Sequence, residues 1–297
     1  MFGPAGKPCV SSASSHSWNT RPGNVTAVRS TLERPPPHVC ATFGGPTEGA
    51  ERLPDSTAWR CGDLVLKPVT DKVRTLWTAH ALDYIREPGL RVGRPVRSTD
   101  GRWIVGGWTA ARFIPGTPEH RGDASVLAAV KLHRATVGLP RPDFLDARTD
   151  VDAVADRVAW EEHEVPLEET KGGRWFEVLA GARRPIKLPS QVAHGELLAG
   201  LLFDGDDIPG VVDFVPYYRP GEYGAAIVAV DALAWGGAGR DLLERWAHLP
   251  EWPQLLLRAV LFRLASNALN PRSTQASLDG LRAAAPRNPD PKPEHGR

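Results

Sequence analysis

The sequence predicts an α+β chain of two lobes, a small antiparallel sheet lobe followed by a larger helical lobe. Three observations carry that reading. Strand-like runs flank a single helical stretch between residues 58 and 113, apolar residues recur at helical spacing through most of the chain beyond Asp123, and only short strand-like runs interrupt that second part. In order along the chain, 58–69 reads as a hairpin turning at Gly62-Asp63, with Leu64 and Leu66 on one face and Val65 and Lys67 on the other. Residues 72–86 carry Val73, Leu76, Trp77, His80, Ala81 and Tyr84 at three-and-four spacing, a helical stripe. Residues 95–97 and 103–105 flank the turn Asp100-Gly101 as strands, and 108–113 follows the flexible pair Gly106-Gly107. Helices are expected over 124–136 and 150–163, capped by Asp123 and Asp150, and again over 222–234, 240–247 and 252–268. The short strands between them are 192–194, 201–203 and 210–214.

Composition narrows the function classes. The chain has 297 residues, 41% of them hydrophobic, with 36 Lys and Arg against 35 Asp and Glu, a formal charge of +1. That balance offers no basic platform for nucleic acid and no acidic solvating tail. The serine-rich and proline-rich residues 1–37 show no periodicity and read as a disordered arm, and the alternating prolines of 284–297 read as a disordered tail. Between them, 38–116 is the expected sheet lobe and 117–283 the expected helical lobe. Cys9, Cys40 and Cys61 have neither disulfide-scaffold nor zinc-site spacing, which fits a reducing compartment. No run approaches the ~20 apolar residues of a membrane span, and no secretory pattern opens the chain. A soluble cytoplasmic protein without membrane or nucleic-acid partners is expected; the sequence carries no signal for an oligomeric state.

The chemistry-bearing segment is His194-Gly195-Glu196, continuing to Leu201-Leu202-Phe203-Asp204-Gly205 and then Gly210-Val211-Val212-Asp213-Phe214. It resembles the HGD…N…LF…IDF pattern of the aminoglycoside phosphotransferase and choline kinase-like family, within the two-lobed protein-kinase-like fold. The segments 101–110 and 212–220 are similar to an uncharacterised actinobacterial branch of that family. The resemblance covers about residues 38–270. It implies ATP or another nucleoside triphosphate, with magnesium, as cofactor and a small-molecule hydroxyl as acceptor. Phosphoryl transfer is mostly positioning and charge neutralisation, so a base must face the attacking oxygen while carboxylates hold the metal on the phosphates. By the same resemblance Glu196 stands where the acceptor hydroxyl is oriented, Asp213 where magnesium is held, and Lys67, at the end of an apolar strand, where the nucleotide phosphates are met.

The departures from the pattern matter as much. Glu196 replaces Asp, one methylene longer, and a displacement of ~1 Å can cost about a hundredfold in rate. Gly200 occupies the metal-binding Asn position and offers no side-chain oxygen. His80 stands where the lysine's helical Glu partner is usual, with Asp83 one turn away as a substitute. The loop before the lysine strand, Leu53-Pro54-Asp55-Ser56-Thr57-Ala58, has no glycine to let backbone N–H groups approach phosphates. Two functions follow: a phosphotransferase with weakened activity, or a pseudokinase-type module that binds a nucleotide or metabolite without turnover. His194 is expected to be structural, hydrogen-bonded to nearby backbone. The run Glu161-Glu162-His163-Glu164 reads as a solvated helix end, and Asp204, Asp206 and Asp207 as turn residues. Tyr217-Tyr218-Arg219-Pro220 either borders an acceptor pocket or packs on the helix that follows.

Overall fold

The computed structural model describes residues 34–54 and 56–285. The expected arm up to residue 33, the tail from residue 286, Cys9 and Asp55 lie outside them. The chain folds as a small antiparallel sheet lobe and a larger helical lobe, as its sequence pattern predicts. Helix α1 (Pro37–Thr42) precedes β1 (Glu51–Arg52), β2 (Trp59–Cys61) and β3 (Leu64–Pro68), and α2 (Lys72–Tyr84) leads to β4 (Arg91–Val92), β5 (Pro95–Val96) and β6 (Trp108–Arg112). The main sheet has the order β1-β2-β3-β6-β5, every pair antiparallel. Gly62, at φ 60°, makes the β2–β3 turn in a conformation that glycine adopts without strain. The face alternation of β3 is the predicted one: Leu64 and Leu66 are buried, and Val65 and Lys67 are half-buried. With Val39, Cys40, Phe43, Cys61 and Trp108 they form the small lobe's own core. There Cys40 and Cys61 sit as free buried thiols with their sulfurs 3.0 Å apart.

Two expectations for this lobe are corrected. Residues 103–105 are not a strand; only Val105 bridges Trp108, across a turn in which Gly106 and Gly107 take positive φ. The arginine of Arg97 lies over the Trp103 ring at 3.9 Å, and the indole is buried by packing instead of by pairing. Helix α2 forms, capped by the Asp71 carboxylate on the Arg74 N–H, but it buries Ala79, Ala81 and Leu82 while Val73 and Tyr84 are exposed. The small residues let the helix approach its neighbours closely, so the buried face is rotated from the apolar stripe.

The helical lobe contains α3 (Gly122–Ala135), α4 (Val151–Ala159), α5 (Gly173–Ala180), β7 (Gln191–His194), α6 (Leu197–Gly200), β8 (Leu201–Leu202), β9 (Gly210–Val211), β10 (Pro216–Arg219), α7 (Gly221–Ala234), α8 (Asp241–Arg245), α9 (Trp252–Leu269) and α10 (Gln275–Ala284). Asp150 caps α4 through the Ala153 N–H, as predicted, whereas Arg121 takes the cap position of α3 and Asp123 lies inside its first turn. Helices α7 and α9 are apolar nearly all round and form the centre of the lobe, as such helices must. Helix α4 ends at Ala159, and the following acids are not merely solvated. Glu162 pairs with Arg219, and Glu161 reaches Arg183 and Arg258. Two small sheets complete the fold: β7 pairs antiparallel with β10 inside the helical lobe, and β9, paired with β8, joins the halves by its parallel pairing with β4.

Candidate active site

The site is built where β3, the β7–α6 turn and the segment after β9 meet. The expected strand 210–214 stops at Val211, because the backbone beyond it is claimed by side chains. The Lys67 ammonium donates to the Val212 carbonyl at 3.0 Å, the His194 ring meets the Asp213 carbonyl at 3.1 Å, and the Phe214 N–H donates to the Asp213 carboxylate at 2.8 Å. Each bond replaces one that a strand ladder would have made.

The sequence-predicted lysine and aspartate come together across the two halves. Lys67 Nζ stands 3.6 Å from Asp213 Oδ2, and both side chains keep contact with solvent, at 34% and 55% exposure. Crowding by neighbouring groups works against ionisation of Asp213, but the Lys67 ammonium outweighs it, helped by the Phe214 N–H and by His194 and Arg74. The carboxyl is held below its usual range. It is therefore an anion throughout neutral pH.

Glu196 joins this pair through an imidazole. His194 Nδ1 accepts from the Glu196 N–H at 3.0 Å, so the proton sits on Nε2, which donates to the Asp213 carbonyl. The ring is thus bonded to backbone on both sides, as the sequence suggested. Burial, against the opposing pull of Asp213, pushes His194 down to about 4, which keeps it neutral. The backbone N–H of His194 donates at 2.9 Å to Nε2 of His133, a second buried histidine pushed down to about 3 by burial and by His194. The Glu196 carboxylate bears on the Tyr217 hydroxyl and the Arg263 guanidinium. Arg263, paired with Asp231 in the core, also donates to the Gly195 carbonyl at 3.1 Å and so fixes the turn that presents Glu196.

Other predicted participants are placed elsewhere. His80 packs edge-on against Trp103, and Asp83 pairs with Arg86 instead of substituting as the lysine's partner. Among the described residues the ion pair of Lys67 is with Asp213 alone. Gly200 ends α6, and a Cβ there would meet nothing within 4 Å. The β1–β2 loop closes on itself through Leu53 N–H to the Ala58 carbonyl and Ala58 N–H to the Ser56 hydroxyl. Sequence reasoning missed Arg74, whose charge acts on both Asp213 and His194, and Thr78, whose hydroxyl lies 3.5 Å from the Phe214 carbonyl. Their place on the first turns of the helix after the lysine strand was the available signal. Among the described residues no group of three or more His, Cys, Asp or Glu could hold a metal by itself. No described helix is long and apolar enough to cross a membrane.

No protein-family model matches the chain, and no curated protein matches it by sequence. Solved structures do. An aminoglycoside phosphotransferase from Alicyclobacillus acidocaldarius subsp. acidocaldarius DSM 446 is similar at 13% identity and a TM-score of 0.51, over 80% of this chain and 86% of that one. A thermostable mutant of aminoglycoside phosphotransferase APH(4)-Ia, in its apo form, is similar at 13% identity and a TM-score of 0.50, over 84% and 95%. At such identities the likeness establishes architecture, and the chain has the two-lobed α+β, protein-kinase-like fold of these phosphotransferases.

Proposed function

We propose that this chain is an ATP-dependent phosphotransferase-like protein that acts on a small-molecule hydroxyl, with 38–116 as its nucleotide side and 117–283 as its acceptor side. The observation that supports it most is the Lys67–Asp213 pair, a half-buried ammonium and an exposed, ionised carboxylate delivered from opposite halves of the molecule. In this reading Lys67 meets the phosphates of the nucleotide and Glu196 accepts the proton of the acceptor hydroxyl. The acceptor oxygen bonds to the γ-phosphorus as the bond to the bridging oxygen breaks, leaving ADP. Asp213 suits magnesium, a hard cation that takes one or two carboxylates and completes its shell with phosphates and water. Bound there, the ion would supply neutralisation of phosphate charge. The two solved structures it resembles are aminoglycoside phosphotransferases, which agrees with this class of reaction. Buried free thiols go with a reducing, intracellular setting.

The second reading, a pseudokinase-type nucleotide or metabolite binder, is favoured by Gly200, which leaves Asp213 without the second oxygen ligand of the resembled pattern. Two measurements separate these readings. Mg-ATP at roughly a hundred times its Kd should stabilise the fold by about 2.7 kcal/mol in a thermal titration, and the absence of any shift counts against both. Acceptor-dependent ADP release should fall on the order of a hundredfold in Asp213→Ala and in Glu196→Gln. Equal, negligible turnover in wild type and variants leaves the binding module as the answer.

A further inference from the structure

The turn that presents Glu196 backs onto an open cavity of about 210 Å³ in the helical lobe. One water needs ~10–15 Å³ by the same kind of measure, so there is room for a small molecule. The wall is assembled from the segment after α3, from α4 and from β10. Four arginines line it against three acids, an unusual excess of guanidinium for so small a space. Three of those arginines have carboxylate partners: Arg141 pairs with Asp146, Arg148 with Asp150, and Arg219 with both Asp156 and Glu162. Arg157 differs. Its guanidinium donates to the Arg148 carbonyl at 3.0 Å and forms no ion pair among the described residues.

Two further polar atoms in this wall are incompletely bonded. Oδ1 of Asp156 is buried without a hydrogen-bond partner among the described residues, and the buried Tyr217 hydroxyl makes no well-aligned bond, although the Arg148 guanidinium bears on it. Such atoms are rare in folded proteins and mark places where a water or ligand completes the bonding. Tyr217 also connects the cavity to the site. Its ring lies so close to Gly195 that a Cβ there would stand 2.1 Å from Cε2, and the Glu196 carboxylate bears on its hydroxyl.

We propose that this cavity seats the acceptor, and that the acceptor is a small hydroxylated anion whose carboxylate or phosphate pairs with Arg157 while its reacting hydroxyl lies on the Tyr217 side, toward the turn that carries Glu196. The acceptor role rests on the phosphotransferase reading; the anion site does not. A polycation is disfavoured, because Arg157 would repel it and the cavity's acids are already engaged, Asp156 and Glu162 by Arg219 and Asp146 by Arg141.

Calorimetry on the full chain tests the site with glycerate, glycerol 3-phosphate, glycerol and spermine as probes. At least one anion should bind about tenfold or more tightly than glycerol or spermine, and the stronger of the two tells carboxylate from phosphate. Arg157→Gln should erase that preference, and Arg157→Lys should retain part of it. The anion site is overturned if neither anion binds, if glycerol binds equally well, or if Arg157→Gln leaves anion affinity intact. If the anions bind through Arg157 yet do not raise ADP release from Mg-ATP, the acceptor role is overturned and the site stands. Failure of Mg-ATP to shift the melting of the same protein would refute the nucleotide reading separately, whatever the anion titration shows.

Discussion

Asp213 and Lys67 meet because each ends a run of apolar residues that the fold must bury. Leu64 and Leu66 anchor β3 in the small core and leave Lys67 on the half-buried face, while Val211 and Phe214 are fully buried on either side of Asp213. The family resemblance of their motifs singled both out in the sequence, and the buried flanks explain why they lie at an edge. Glu196 was equally visible, but its reach was not, since the extra methylene and the His194 ring decide where its carboxylate lies. Gly200 offers a direct test at this scale. Because a Cβ there meets open space, Gly200→Asn adds an amide oxygen without a clash. Magnesium-dependent ATP affinity is expected to rise on the order of tenfold, about 1.4 kcal/mol, measured by titration with and without the ion. No magnesium-specific change would show that the position does not face the nucleotide.

Among the elements, α7 and α9 hold the catalytic-type turn from below. Asp231 on α7 and Arg263 on α9 are buried together, and Arg263 spends a further N–H on the Gly195 carbonyl. Burial works against the Arg263 charge, but Asp231 prevails and keeps the guanidinium protonated. Removing one partner strands the other charge in the core, so Arg263→Met should cost ~3–5 kcal/mol of stability, read from urea unfolding. Replacing both, as in Arg263→Met with Asp231→Leu, should cost less than the single change. A single variant as stable as wild type would mean the pair anchors nothing. In the helical lobe α5, α6, β10 and α10 went unread in the sequence, whereas α3, α4, α7, α8 and α9 were legible from their periodicity. The rotated face of α2 was not, because it depends on the close approach permitted by Ala79 and Ala81, and neither was the early end of β9, because its missing ladder bonds go to distant side chains.

For the molecule as a whole, the paired histidines couple folding to pH. His194 is held at about 4 and His133 at about 3, against 6.5 for a free ring. Between those values the unfolded chain binds more protons than the folded one, so stability rises with pH in this window and is lost as pH falls from about 6.5. The slope is at most ~1.4 kcal/mol per pH unit for each histidine, and it should be visible in urea midpoints between pH 6.5 and 5. His194→Asn should flatten the dependence; a wild-type profile already flat there would contradict the neutral buried pair. The amino-acid sequence by itself determined the two-part α+β architecture, the β3 hairpin and the two central apolar helices, because periodic burial and local turn chemistry are properties of neighbouring residues; the candidate trio Lys67, Glu196 and Asp213 came from the resemblance of its motifs to a known family. Only the tertiary structure decided that Lys67 closes on Asp213, that Asp83 turns to Arg86, that Glu162 serves Arg219 and that Arg157 is left with no ion pair beside a cavity. Those outcomes depend on which charges reach one another across chain separations that no local pattern encodes.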